Sequence, residues 1–242
     1  MEFSVFVRKL VVPCFGLLLS CGQLPVAYGA ENPEKQLARF ANSIAINPIE
    51  LDGDPYLIPL DSSAVADQTV PGEAVCAVRY DDLERTQYTL ETFPDAAAAS
   101  QADAFVTHHN ACGTCSTLQD LAVYLRTPNL TSPVRRCAAL GVIKPVGMSC
   151  LRDLGFSEAC AETWYYNTRH TRQNCTGVCL MSWLRQQPLN LPNGELNACL
   201  ACDEVKSGPV FKRTAGRTRR NSGIESAIGR QAGDLVPIRH DY

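Results

Sequence analysis

Alternation of apolar and polar positions marks two strands early in the chain, over residues 74–80 and 87–93, both rich in β-branched and aromatic side chains. Residues 94–101, alanine-rich after Pro94, read as a helix, and residues 104–107 as a short third strand. Upstream, Leu37, Phe40, Ala41 and Ile44 recur at helical spacing and predict one amphipathic helix within residues 31–46. Pro48, Pro55, Pro59 and Pro71 then break up the pattern, so residues 31–73 as a whole read as an extended lead-in arm or a removable pro-segment.

Beyond residue 115 the periodicity turns helical. Ser116 with Gln119 reads as an N-cap and its capping-box partner, opening a central helix that runs to Leu125. Ser132-Pro133 opens another helix that Gly141 closes. Ser157 starts one carrying Cys160 and Trp164-Tyr165-Tyr166, Thr171 starts one with Cys175 and Cys179 a turn apart, and residues 209–221 form a last one, ending before Gly223. The prediction is an α+β fold, a small sheet in the N-terminal half covered by a helix-rich, disulfide-stapled C-terminal half, as a single domain over residues 74–242.

The first thirty residues change the picture of where this domain works. Arg8 and Lys9 precede an apolar run over residues 10–19 and a small-residue exit at Ala27-Tyr28-Gly29-Ala30, the pattern of a secretory signal peptide over residues 1–30. Leu18-Leu19-Ser20-Cys21 also approximates a lipid-attachment signal, which would make the chain a lipoprotein anchored through Cys21. No later stretch is apolar for long enough to span a membrane. Of the twelve cysteines, Cys14 and Cys21 lie in the leader, leaving an even set that argues for disulfides and for a secreted, periplasmic or luminal location. Asn129-Leu130-Thr131 and Asn174-Cys175-Thr176 are glycosylation sequons if the host is eukaryotic. A net charge of -3 gives no global attraction to nucleic acid or to a membrane, so any electrostatic function is local.

Candidate chemistry concentrates over residues 104–125, where His108, His109, Cys112 and Cys115 precede the central helix. A thiol at a helix start is stabilised as thiolate by free backbone amides. Near the other end, Lys212, Arg213, Arg217, Arg219 and Arg220 would share an arc of roughly 160° on one helix, which suits a carboxylate, sulfate or phosphate. The leading expectation is therefore an exported cysteine-dependent enzyme acting on a small anionic substrate. Cys115, or else Cys112, would be the nucleophile, His109 or His240 the base, and Lys212, Arg213, Arg217 and Arg220 the anion site. The competing expectation is a non-catalytic binding or effector module with structural cysteines, its basic face meeting a small anion or an acidic protein surface rather than nucleic acid. No cofactor is required. Zinc is an alternative, because Cys112/Cys115 and Cys199/Cys202 are both C-x-x-C pairs with His108 and His109 nearby.

Two local resemblances bear on the C-G-T-C stretch. The strand, helix, strand, C-G-T-C, helix order over residues 87–125 resembles the opening of the thioredoxin family, implying Cys112 as attacking thiolate and Cys115 as resolving thiol. Cys112-Gly113-Thr114-Cys115 is also similar to the motif of papain-like cysteine proteases, implying Cys115 as nucleophile with a downstream base, His170 or His240. Ala111 replaces the aromatic residue usual before the first cysteine of the former family. Ser116 and His109 replace an aromatic and a glutamine of the latter.

Overall fold

The computed structural model describes residues 31–58, 73–229 and 237–242. The expected signal peptide and the Cys21 lipid signal lie outside the described residues. Helix α1 (Pro33–Asn42) begins with Asn32 capping the amide of Glu34 and buries Phe40 completely. It stops at Ser43, whose backbone turns extended. Ile44–Ala45 (β1) then join a sheet instead of continuing the helix. Asn47 prolongs this edge with its side chain, accepting from Leu90 N and donating to Leu90 O at 2.7 and 2.8 Å.

The other strands are β2 (Val75–Tyr80), β3 (Gln87–Phe93) and β4 (Phe105–His109), with α2 (Ala96–Gln101) between the last two. The sheet order is β1-β3-β2-β4. β1 runs parallel to β3, and β2 is antiparallel to both its neighbours, with a register shift against β4 between Cys76 and Ala77. Central strand β2 is apolar and buried over its first four residues, where both faces are covered, and reaches solvent at Arg79. Val75 and Ala77 pack with Phe93, Ala99 and Ala104 under α2, while Cys76 and Val78 face the main core with Tyr88 and Leu90.

The helical half supplies the rest of that core: α3 (Leu118–Arg126), α4 (Thr131–Leu140), α5 (Lys144–Asp153), α6 (Glu158–Leu184), α7 (Ala198–Lys206) and α8 (Gly208–Ala215). The α+β expectation holds, a four-stranded sheet joined to a helical half. α4 starts at Thr131, with Leu130 instead of Ser132 at the cap position, and three further boundaries differ from the sequence reading. The cap of α3 is Thr117, which accepts from Asp120 N. The helices expected from Ser157 and from Thr171 are one continuous α6 of 27 residues, since nothing around Thr171 breaks a helix. The basic helix ends at Ala215, because Gly216 turns to φ 69°.

Five disulfides staple the fold: Cys76–Cys112, Cys115–Cys160, Cys137–Cys150, Cys175–Cys202 and Cys179–Cys199. The last two lace α6 to α7, because residues a turn apart on α6 meet residues three apart on α7. The first two tie the C-G-T-C loop to β2 and to the start of α6. Such cross-linking fits folding in an oxidising compartment. Among the described residues no helix is long and apolar enough to cross a membrane.

Candidate functional site

The His-Cys loop is organised by backbone acceptors contributed from the far end of the chain. Gly113 and Gly216 lie backbone to backbone; a Cβ on Gly113 would come within 2.5 Å of the Thr214 carbonyl oxygen. That approach lets Thr114 N and Cys115 N donate to Thr214 O and Ala215 O, each at 3.0 Å, which caps the last turn of α8. Gly113 N donates to Ser116 Oγ, and Leu118 N to the Tyr88 hydroxyl, both at 2.8 Å. The amides expected to stabilise a thiolate are thus spent. Both sulfurs are bonded as well, Cys112 to Cys76 and Cys115 to Cys160, so neither carries a thiol to ionise or a thiolate for zinc. In this bonded state Cys115 and Cys112, the expected nucleophiles, offer no thiol, the bonded loop amides are not free to hold an oxyanion, and the Cys112/Cys115 pair offers no thiolate to zinc. Cys199 and Cys202 are likewise bonded.

The histidines are structural in their contacts. His108 is fully buried, with Nδ1 toward His109 O and Nε2 2.7 Å from Ser116 Oγ. Since a carbonyl only accepts, His108 carries its proton on Nδ1, and the Ser116 hydroxyl donates to Nε2. Burial, with the Arg217 charge second, holds His108 well below the usual imidazole range and therefore neutral. His109 follows it at the end of β4, opposite Val75. His240 donates Nε2–H to Ser222 O at 2.8 Å, and burial first, then Arg217, lowers its pKa to about 4.

Arg217, expected to bind substrate, has no exposed surface. Its guanidinium donates to Cys115 O, Ser116 O and Thr107 O and to Ser222 Oγ at 3.0 to 3.2 Å, clamping the loop, β4 and the segment after α8. The turn at Gly216 removed it from the helix face that periodicity assigned to it. The only buried carboxylate near this clamp among the described residues is Asp120. Asp120 accepts from Thr117 Oγ1 and from the amide and hydroxyl of Ser157, joining the starts of α3 and α6. Burial raises its pKa to about 6 despite those bonds.

The other three cations separate. Arg213 remains on α8. Lys212 and Arg220 reach the wall of a cavity of about 500 Å³ that no local pattern along the chain announces. Leu130 and Val134 at α4 form one side of it, Trp164 on α6 and Leu200 on α7 another, and Phe211 on α8 with Ile224 the rest. The lining is mainly apolar. Its charged groups are Arg135, Lys212, Arg219 and Arg220 against Asp203, Glu204 and Glu225. Lys212 is paired with Glu204 at 3.2 Å, and Asp203 accepts the Thr171 hydroxyl. Arg219 donates to the carbonyl oxygens of Tyr124, Thr127 and Glu225, and its Cζ lies 5.6 Å from the centre of the Tyr124 ring. Of the two sequons, Asn129 lies in the cavity wall and Asn174 is exposed on α6.

Residues 144–238 match a family of unknown function, DUF8771. The match starts with α5 and takes in the laced α6–α7 pair, α8 and Arg217, leaving the sheet, α3, α4 and the carbonyls of Thr107, Cys115 and Ser116 that Arg217 holds outside it. No curated protein and no solved structure matches the chain.

Proposed function

We propose that this chain is an exported, disulfide-stapled binding module that holds a small, largely apolar molecule in the cavity between α4 and the α6, α7 and α8 helices. The cavity carries the reading. Its volume of about 500 Å³ falls within the roughly 300–1,000 Å³ of ligand sites, and its apolar wall with a few polar groups is their usual chemistry. The bonded state of all five cysteine pairs supports a non-catalytic role over the thiolate mechanism. Disulfides on both sides of α6 hold the wall in shape without ligand, which lowers the ordering cost of binding.

A neutral fluorescent probe, N-phenyl-1-naphthylamine, tests the idea on the oxidised protein. Saturable binding at one site is expected, and Ala138→Trp, which fills the cavity from α4, should weaken it at least tenfold while leaving the urea midpoint within experimental scatter. Absence of saturable binding, or a filled variant that binds unchanged, would refute the proposal.

A further inference from the structure

The Cys179–Cys199 bridge has surroundings that favour its opening. Arg135 Nη2 donates toward Cys199 Sγ at 3.6 Å. Cys199 is also the second residue of α7, beside the first amides of that helix. A guanidinium and a helix start both lower the pKa of a thiol formed next to them, which makes Cys199 the better leaving group of the pair. The acid whose charge acts on Arg135 is Asp203, one turn further along α7, which accepts the Thr171 hydroxyl and offsets part of that effect.

The opposite sulfur is the one that a solution thiol reaches. Cys179 is half-buried on α6 between exposed Val178 and Leu180, whereas Cys199 is 8% exposed in the wall of the cavity. Cys115 and Cys160 have no exposed surface, and Cys76, Cys137 and Cys175 leave each remaining bridge with one partner at 2% or less. In the neighbouring Cys175–Cys202 bridge, Cys202 Sγ lies 4.0 Å from the Asn174 carbonyl oxygen, whose partial negative charge opposes a thiolate. Opening Cys179–Cys199 leaves α6 and α7 joined, because Cys175–Cys202 encloses it along the chain.

We propose that Cys179–Cys199 is a thiol-exchange site, opened by small monothiols ahead of the other four bridges, with Cys179 as the sulfur attacked and Cys199 as the leaving thiolate. In the first step the monothiol, as thiolate, bonds to Cys179 Sγ while the bond to Cys199 breaks, and the electron pair leaves on Cys199 beside Arg135. In the second step another thiolate attacks the monothiol sulfur of this mixed disulfide and releases Cys179 as thiolate. The cystine gains two electrons, and two monothiols are oxidised to their disulfide.

Incubation of the native oxidised protein with reduced glutathione at pH 8, quenched at intervals with iodoacetamide and read by peptide mass spectrometry, tests this. The first product should carry glutathione on Cys179 and the alkyl label on Cys199, and should form about tenfold or more faster than any product at the other bridges. Arg135→Gln should slow that product about threefold or more, and Arg135→Lys should recover part of the rate, because a cation beside the leaving sulfur is restored. The trapped pattern is read on the wild type and stands if a variant fails to fold. Glutathione on Cys199 in place of Cys179, another bridge opening first, all five opening together, no opening at all, or a folded Arg135→Gln variant reacting at the wild-type rate would overturn the proposal.

Discussion

Replacing Cys115 and Cys160 together by alanine separates a structural cystine from a catalytic thiol. The bridge joins the start of α3 to the first turn of α6 across a sequence separation of 45 residues. Closing a loop of that length removes roughly 13 cal/mol/K of chain entropy from the unfolded state, or about 4 kcal/mol at 25 °C. Cys115 and Cys160 have no exposed surface, so the double alanine variant also loses buried contacts without gaining water access. Against the roughly 5–15 kcal/mol that holds a domain of this kind together, a loss of about 4 kcal/mol is a large fraction. Urea unfolding of wild type and variant, with mass spectrometry after alkylation in denaturant, reads both consequences. The wild type should take up no label at any of the ten cysteines bridged here, and the variant should unfold at markedly lower urea with four bridges intact. Label at Cys115 in native wild-type protein, or a stability loss under about 1 kcal/mol, would refute the reasoning and restore the thiol.

Arg217→Met should cost about 3 kcal/mol or more in urea unfolding, because three buried carbonyl oxygens lose their donor. Arg217→Lys should not rescue it, since one ammonium cannot span the positions of three carbonyls; full rescue by lysine would count against the clamp. Acid stability should show opposing contributions. His240 and His108 have folded pKa values below the unfolded one, so the stability they confer is complete above about pH 6.5 and is lost as pH falls, for His240 through about 4. Asp120 has a folded pKa raised to about 6, so its contribution is present at low pH and is lost as pH rises through 6. Asp120→Asn should therefore steepen the rise of stability between about pH 4 and 6 by up to about 1.4 kcal/mol per pH unit, and His240→Gln should flatten it by a similar amount. Equal slopes in urea unfolding of the two variants across that range would exclude this assignment.

Much of the architecture was legible because it depends on local pattern. β2, β3, β4 and α2 follow from alternation and from Pro94-Asp95, with Asp95 capping Ala98 N as an N-cap aspartate does. The errors sit where two local signals overlap and a distant group chooses between them. Ser116-to-Gln119 and Thr117-to-Asp120 are both cap patterns, one residue apart. Thr117 prevails because His108 and Gly113 take the Ser116 hydroxyl and Ser157 takes Asp120. Gly216 and Gly223 are both helix stops. The earlier one acts because Gly113 needs the backbone space beside it, which divides the basic segment and buries Arg217. The cavity has no local signature at all, since its wall is drawn from α3, α4, α6, α7, α8 and the segment after α8.

The same dependence explains why the C-x-x-C loop carried the signal of a reactive thiol while its sulfurs are bonded. A thiol beside a helix start is reactive only if the amides around it are free and the sulfur is unbonded. Neither condition is a property of residues 104–125. Thr214 and Ala215, about a hundred positions away in sequence, take the amides of Thr114 and Cys115, and Cys160 takes the sulfur.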